Sequence, residues 1–371
     1  MKWRQLPIVS VVFLFLSPAC GPVTSELETE SEANTSGQVR QYSMTMPATV
    51  TSLPRVDQEV ATPVHTIQAN QLGDDFFKAT VNLGLDDKDY FIVASRLFAV
   101  DADMNQPSNV LHHALVAEMP STKTLKTSAS PVSKKSNNSS IGYGGLVGLM
   151  VMGTSVLQTP AGTGLKIRGN MDLTFNIHLN VAMGSATTLP KKVSVHVQFM
   201  FAPSVKHLAY FSGGVDPLWL LKPETMKIPA NSVTTRGYTH DPFGVLPSDS
   251  KSLDLIGVLY HMHNLGSAGQ ISQVRSGASY TLNSDNSFSY ANQYVHYFPS
   301  PVTLQKGKDK LFAQCTWTNT AERQPFVYGV QMPVKDVFWG ESSTDEMCMW
   351  MLVFVEKGNA GLPAPKPKSG H

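Results

Sequence analysis

Between about Tyr42 and Val355 the chain is a series of short runs in which apolar and polar residues alternate. Examples are DYFIVASRLFAV from Asp89, VSVHVQFMF from Val193, LDLIGVLYHMH from Leu253, YVHYFP from Tyr294 and MWMLVFV from Met349. Successive side chains of a strand point to opposite faces, so a period of two predicts half-buried strands. Clusters of Gly, Pro, Asn and Asp bound these runs as turns. No long segment has a convincing helical period. The pattern predicts an all-β protein of antiparallel β-sandwiches. At 371 residues the chain is long enough for two domains with full cores. The division is expected near Ala202-Pro203-Ser204, giving domains over 42–203 and 204–356. The tract from Ser121 to Gly145 reads as a long mobile loop of the first. The run Leu146 to Leu157 is apolar but broken by glycine, so it reads as a core or interface strand, not a membrane span.

Charged residues make up 15% of the chain, below the roughly 25% usual for soluble domains, which suits a loop-rich β protein with much buried strand. The net charge is +1 with no basic patch, which argues against a nucleic-acid role. Residues 1–20 read as an export signal. Lys2 and Arg4 form its positive region, and Pro7 to Leu16 is an apolar stretch too short to span a bilayer. The stretch ends at Ser17-Pro18-Ala19-Cys20-Gly21, which looks like a bacterial lipoprotein cleavage site with Cys20 lipidated, although Ser17 stands where Leu is usual. The alternative is ordinary cleavage with Cys20 removed. Either way the protein is expected to be exported, as a cell-envelope lipoprotein or a secreted protein. Residues 21–41 are polar and acidic and read as a flexible tether, and 357–371 as a disordered tail. If Cys20 is lipidated or lost, Cys315 and Cys348 form an even pair. In an oxidising compartment they should be joined.

The residues that bear chemistry are histidines and one methionine. His112 and His113 are adjacent in NVLHHALV, His178 closes an alternating run in LTFNIHLNV, His261 and His263 lie in LYHMHNLG, and Met347 lies in STDEMCMW. Imidazole binds copper in either oxidation state, and a thioether prefers Cu(I). The chain thus offers one all-histidine ligand set and one set of two histidines and a methionine. Adjacent residues on a regular strand face opposite ways, so His112 and His113 require a bulge or a strand end to meet at one metal. His178 shares a polar face with Asn176. His261 and His263, at i and i+2, share a face about 7 Å apart on a strand, with Met262 on the other face and Gly266 letting the chain turn. Read alone, a histidine pair and a distant histidine are weak signals, and Met347 reads equally as core filler. His65, His196, His207, His240, His296 and His371 have no ligand-like spacing.

Taken together, the order His-His, a strand ending in His, H-x-H-x-x-G and a late D-E-M-C resembles the copper type II ascorbate-dependent monooxygenases. The likeness is strongest from Leu255 to Val355. The resemblance implies two tandem antiparallel, jelly-roll-like β-sandwiches, each with a copper site facing an inter-domain cleft. It implies that His112, His113 and His178 hold an electron-transfer copper, and that His261, His263 and Met347 hold the catalytic, oxygen-activating one. It also implies hydroxylation of a C–H bond, with O2, a small-molecule substrate, and ascorbate or another one-electron donor as partners. A monomer is expected, touching the membrane only through its lipid anchor. Asp345 and Glu346 read equally as groups supporting the ligands and as surface carboxylates.

The chain departs from the peptide-amidating branch where that branch anchors a carboxylate. Leu259 stands at its Arg position, and Met349 and Met351 at its Asn and Tyr positions. An unpaired carboxylate buried there would cost several kcal/mol. Leu259, Met349 and Met351, with Trp350, suggest instead an apolar or aromatic substrate. Tyr260 reads as a polar handle or as a strand residue on the opposite face. The competing class is a non-catalytic copper-binding protein for storage or delivery, which the same six ligands would serve without an apolar cleft.

Overall fold

The structure is a computed structural model that describes residues 52–119, 130–131, 145–182, 190–244 and 251–356, all within the compact unit Tyr42–His371. The expected signal, Cys20, tether and tail lie outside the described residues, as does Ser121–Gly145 apart from Ser130–Pro131 and Gly145. The all-β expectation holds. Among the described residues the only α-helix is the five-residue Pro217–Leu221, capped by the Asp216 carboxylate on the Leu218 N–H. Among the described residues no helix is long and apolar enough to cross a membrane.

An eleven-stranded sheet runs through both halves of the chain. Its path passes from Gln58–Ala61 through Lys192–Ala202, Asp89–Asp101, Thr163–Arg168, His207–Gly214, Met349–Glu356 and Ser252–His261 to His296–Gln305. The halves join where Thr163 and Gly164 pair in parallel with His207 and Leu208. A five-stranded sheet carries Asp74–Asn82, Asp172–Asn180, Leu111–Met119 and Leu146–Met150 at its centre and edge. A four-stranded sheet orders Ser232–His240, Asp309–Asn319, Gly266–Arg275 and Ala278–Asp285.

Two hydrophobic cores result, and the alternation of single strands divides residues between them. In Met349–Glu356, Met351, Val353 and Val355 enter the first core, while Trp350, Leu352 and Phe354 enter the second. Leu259 faces the first core and its neighbours Val258 and Tyr260 the second. A strand buried on both faces needs apolar residues at every position, which is why MWMLVFV has no polar member. Fully burying a side chain the size of Phe354 contributes roughly 1.5–3 kcal/mol. The Cys315–Cys348 disulfide is formed, with 5.8 Å between the Cα atoms. It ties the four-stranded sheet to the residue just before Met349–Glu356 and so clamps the second core.

Candidate metal centre

The structure brings His112, His113, His178, His261 and His263 into one buried group. Ring centroids are 5.1 Å apart for His112 and His113, 4.4 Å for His112 and His178, and 4.8 Å for His113 and His178. The His261 and His263 rings are 5.5 Å apart. The two expected sets adjoin without a gap, since His112 lies 5.3 Å from His263 and His113 lies 5.2 Å from His261. The rings of the two sets thus lie side by side, and hydrogen bonds described below tie the second-half loops to the first-half strands. One ring nitrogen from each of His112, His113 and His263 falls within 4.8 Å of the others.

Local folding explains how adjacent histidines meet. Leu111–Met119 pairs with Asp172–Asn180 so that His113 opposes His178 and Leu111 opposes Leu179. His112 is the extra residue of a β-bulge, and the bulge turns its ring toward its neighbour's side. His261 is the last residue of Ser252–His261, so His263 lies beyond the strand, in a turn closed by the Gly266 N–H on the His263 carbonyl. The strand geometry expected for both histidines thus applies to His261 alone.

Hydrogen bonds assign the protons of His178, His261 and His263 and leave each a lone pair for a ligand. His178 donates from Nε2 to Asp74 Oδ1 at 2.9 Å, and its buried Nδ1 has no partner. His263 donates from Nδ1 to the Asp345 carbonyl at 3.0 Å, and its buried Nε2 has no partner. His261 donates from Nδ1 to Gln293 Oε1 at 2.8 Å. His112 meets the Tyr290 hydroxyl at 2.9 Å, and His113 keeps a buried Nδ1 without a partner. Orphaned buried nitrogens are rare in folded proteins, and three belong to this cluster. Burial, reinforced by the neighbouring rings, holds His112 and His113 well below the usual imidazole range. Burial holds His261 down to about 4 and His263 down to about 3. These four rings are neutral at physiological pH, the form that binds a metal ion.

Of the supporting groups, Glu346 is one the sequence offered beside Met347, while Gln293 is one it did not single out. Gln293 also donates from its amide to the Tyr290 carbonyl at 2.9 Å, which fixes its oxygen toward His261. Its backbone docks on the first half, where its N–H reaches the Met152 carbonyl at 2.9 Å. Gly153, at φ 92°, permits that approach, since a Cβ there would lie 2.8 Å from Asn292 Cα. Glu346 is fully buried. Its carboxylate accepts from the His263 and Leu265 N–H groups at 2.9 and 2.6 Å and from the Trp317 indole at 2.9 Å. It brackets the turn that carries His263.

Two cavities meet at His113. One, about 670 Å³ including its mouth, is lined by Leu115, Leu149, Leu259, Met349, Trp350 and Met351, with His113 and His261 at its edge. No described residue lining it carries a carboxylate, ammonium or guanidinium group. The other contains Met347 together with His113, His178 and Asn176. Met347 thus lines a cavity together with His113 and His178 of the all-histidine set. Tyr260 lies outside the apolar cavity. Strand alternation turns it into the second core, where its hydroxyl donates to Asn283 Oδ1 at 3.0 Å.

Residues 212–362 match the family described as copper type II ascorbate-dependent monooxygenase, C-terminal domain. No curated protein is similar enough to count as a relative. Among solved structures, a putative secreted protein from Eubacterium rectale is 11% identical, covering 79% of this chain and 68% of its own, with a TM-score of 0.19. A putative secreted protein from Parabacteroides distasonis is 8% identical, covering 81% and 89%, with a TM-score of 0.18. The VP2 subviral particle of infectious bursal disease virus is 11% identical, covering 84% and 80%, with a TM-score of 0.17. Overlaps this weak say nothing about the fold or function of this chain.

Proposed function

We propose, from the place of residues 212–362 in the copper type II ascorbate-dependent monooxygenase family, that this chain hydroxylates a C–H bond of a small apolar or aromatic molecule. The observation that carries the reading is the five-histidine cluster in which three buried ring nitrogens lack partners. That donor set fits copper. His112, His113 and His178 would hold one ion, and His261, His263 and Met347 a second. When bound, copper supplies one-electron redox chemistry and the activation of O2, with ascorbate or an equivalent as electron source.

The chain's own residues supply geometry and exclusion. Asp74, Gln293 and the Asp345 carbonyl fix which nitrogen of His178, His261 and His263 is left free for a ligand. The apolar cavity beside His113 and His261 would bind an uncharged hydrocarbon or aryl group and keep water from the reacting carbon. A substrate carboxylate would find no cation there, in keeping with Leu259 at the anchoring position. A storage protein needs no such cavity, so this feature favours the enzyme. Export through residues 1–20, with lipidation at Cys20, belongs to the same proposal, and the Cys315–Cys348 bond supports an oxidising compartment.

The test is copper stoichiometry of the purified chain, paired with ascorbate-dependent O2 uptake. Two coppers, with one lost together with O2 uptake in Met347→Ala and His261→Ala, is the expected result. Two coppers without O2 uptake under any arylalkyl substrate would favour storage. No copper in metal-replete preparations would sink both readings.

A further inference from the structure

Asp74 is a carboxylate in the centre of the cluster's scaffold, and it belongs to neither ligand set. It is 2% exposed and opens the strand Asp74–Asn82, opposite Asn180. Gly73 delivers it there. Gly73 adopts φ 82°, and a Cβ at that position would lie 2.2 Å from Ala182 Cβ, so no other residue fits the corner.

Every neighbour of the Asp74 carboxylate is a donor. His178 Nε2 lies at 2.9 Å, Asn180 Nδ2 at 2.6 Å and Ser343 Oγ at 2.7 Å. The Ser343 N–H and the Ser342 hydroxyl complete the set. A protonated acid would have no acceptor for its hydrogen, so the ionised form matches the site. Its partners come from two places. His178 and Asn180 lie on the first-half strand, and Ser342 and Ser343 lie on the turn that leads through Glu346 to Met347. Ser343 Oγ also comes within 3.3 Å of His112 Nδ1.

We propose that Asp74 is a positioning residue that fixes His178 as an Nδ1 ligand and couples the three-histidine set to the loop bearing Met347. A carboxylate on the far nitrogen of a ligating imidazole sets its tautomer and raises its basicity. Here the same carboxylate also holds a loop of the second half. A shift of either ligand set is therefore felt by the other through one group. The inference rests on the copper reading for its consequence, but the tautomer it requires is a property of the metal-free chain.

The experiment has two readouts on the full chain. Nitrogen-15 NMR of the metal-free wild type should find His178 protonated on Nε2 and bare on Nδ1. Titration with copper(II), followed by its paramagnetic resonance spectrum, should show Asp74→Asn binding at the three-histidine set about 10–100-fold more weakly. The amide turns one oxygen into a donor facing donors and removes the charge. Ser343→Ala keeps the Asp74–His178 bond, so it should leave the tautomer unchanged while weakening binding at the set containing Met347. Unchanged copper affinity in folded Asp74→Asn, or a wild-type His178 protonated on Nδ1, overturns the inference. If Asp74→Asn does not fold, the wild-type tautomer decides. If the wild type binds no copper yet shows the Nε2 proton, the copper reading falls and the positioning of the ring stands.

Discussion

Replacing Glu346 by Gln tests whether the turn carrying His263 is held by an ionised carboxylate. The side chain is fully buried, and three N–H groups point at its two oxygens. Burial pushes the carboxyl up to about 8, against hydrogen bonds from His263, Leu265 and Trp317. All three neighbours are donors, and a protonated acid would aim its own hydrogen at one of them. The donors therefore complement the ionised form and oppose the burial that favours the protonated one, and the variant decides which prevails. In Glu346→Gln the amide oxygen can keep the His263 and Trp317 donors, but the NH2 group then opposes the Leu265 N–H. One charge-assisted bond, worth roughly 1.5–3 kcal/mol, is lost, and a buried donor left without an acceptor costs roughly 1–3 kcal/mol more. The expected loss is about 3–5 kcal/mol, a large share of the roughly 5–15 kcal/mol that holds a typical domain. Denaturant unfolding at neutral pH measures it, and copper stoichiometry on the same samples reads the displacement of His263. A variant within about 1 kcal/mol of wild type, with copper unchanged, would refute the reasoning. Gln is the isostere of the neutral acid, so that result would mean the carboxyl is held protonated.

Three other perturbations follow from the same structure. Opening the Cys315–Cys348 bond, whose partners are 33 residues apart, should cost about 4 kcal/mol by loop entropy. The double Cys→Ser variant should show this as a melting temperature lowered by roughly 10 °C in calorimetry, and an unchanged melt would show the link to be energetically idle. Gly213 lines the apolar cavity, and a Cβ there would meet nothing nearer than the Trp350 carbonyl at 3.9 Å. Gly213→Leu should therefore fold normally yet weaken a small aromatic probe such as toluene about tenfold, the worth of roughly two displaced methylenes, and undiminished binding by ligand-observed NMR would remove this cavity as the binding site. Burial alone would raise Asp309, but Arg275 at 2.7 Å, with the Gln305 N–H and Gln273, holds it below the ordinary aspartate range. A depressed folded value stabilises above the unfolded value and is lost as pH falls through the folded one, so wild type should weaken below about pH 4 more steeply than Asp309→Asn, and parallel acid profiles would contradict this.

What could be read from the chain was what depends on local pattern. Alternation marked the strands, and the adjacent His112 and His113 demanded a bulge, which the register against His178 supplies. Leu259, Met349, Trp350 and Met351 were legible as an apolar lining because three of them stand where a carboxylate anchor would need polar groups. Glu346 was open to reading as a support beside Met347, but Asp74 and Gln293 were not legible. Asp74 follows Gly73 at the start of a strand and reads as a turn residue, and Gln293 lies in an irregular stretch of polar residues. Their roles come from partners 104 and 32 residues away, and no local period encodes such a pairing. The position of Met347 was hidden for a related reason. The strand begins only at Met349, so the face of Met347 is set by the loop that Glu346 anchors.

The two halves are bound more closely than tandem sandwiches need to be. One sheet crosses between them, and Met349–Glu356 supplies side chains to both cores. At the cluster the bracing is reciprocal. His112 and His178 of the first half meet Tyr290, Ser342 and Ser343 of the second through direct bonds or through Asp74, while Gln293, which orients His261, docks on Met152 of the first. A site assembled this way gains its geometry only when both halves are folded and joined. Each buried imidazole with a free nitrogen is costly in isolation. Concentrating that cost where two cores meet lets the packing of both sustain a donor set that neither half presents alone.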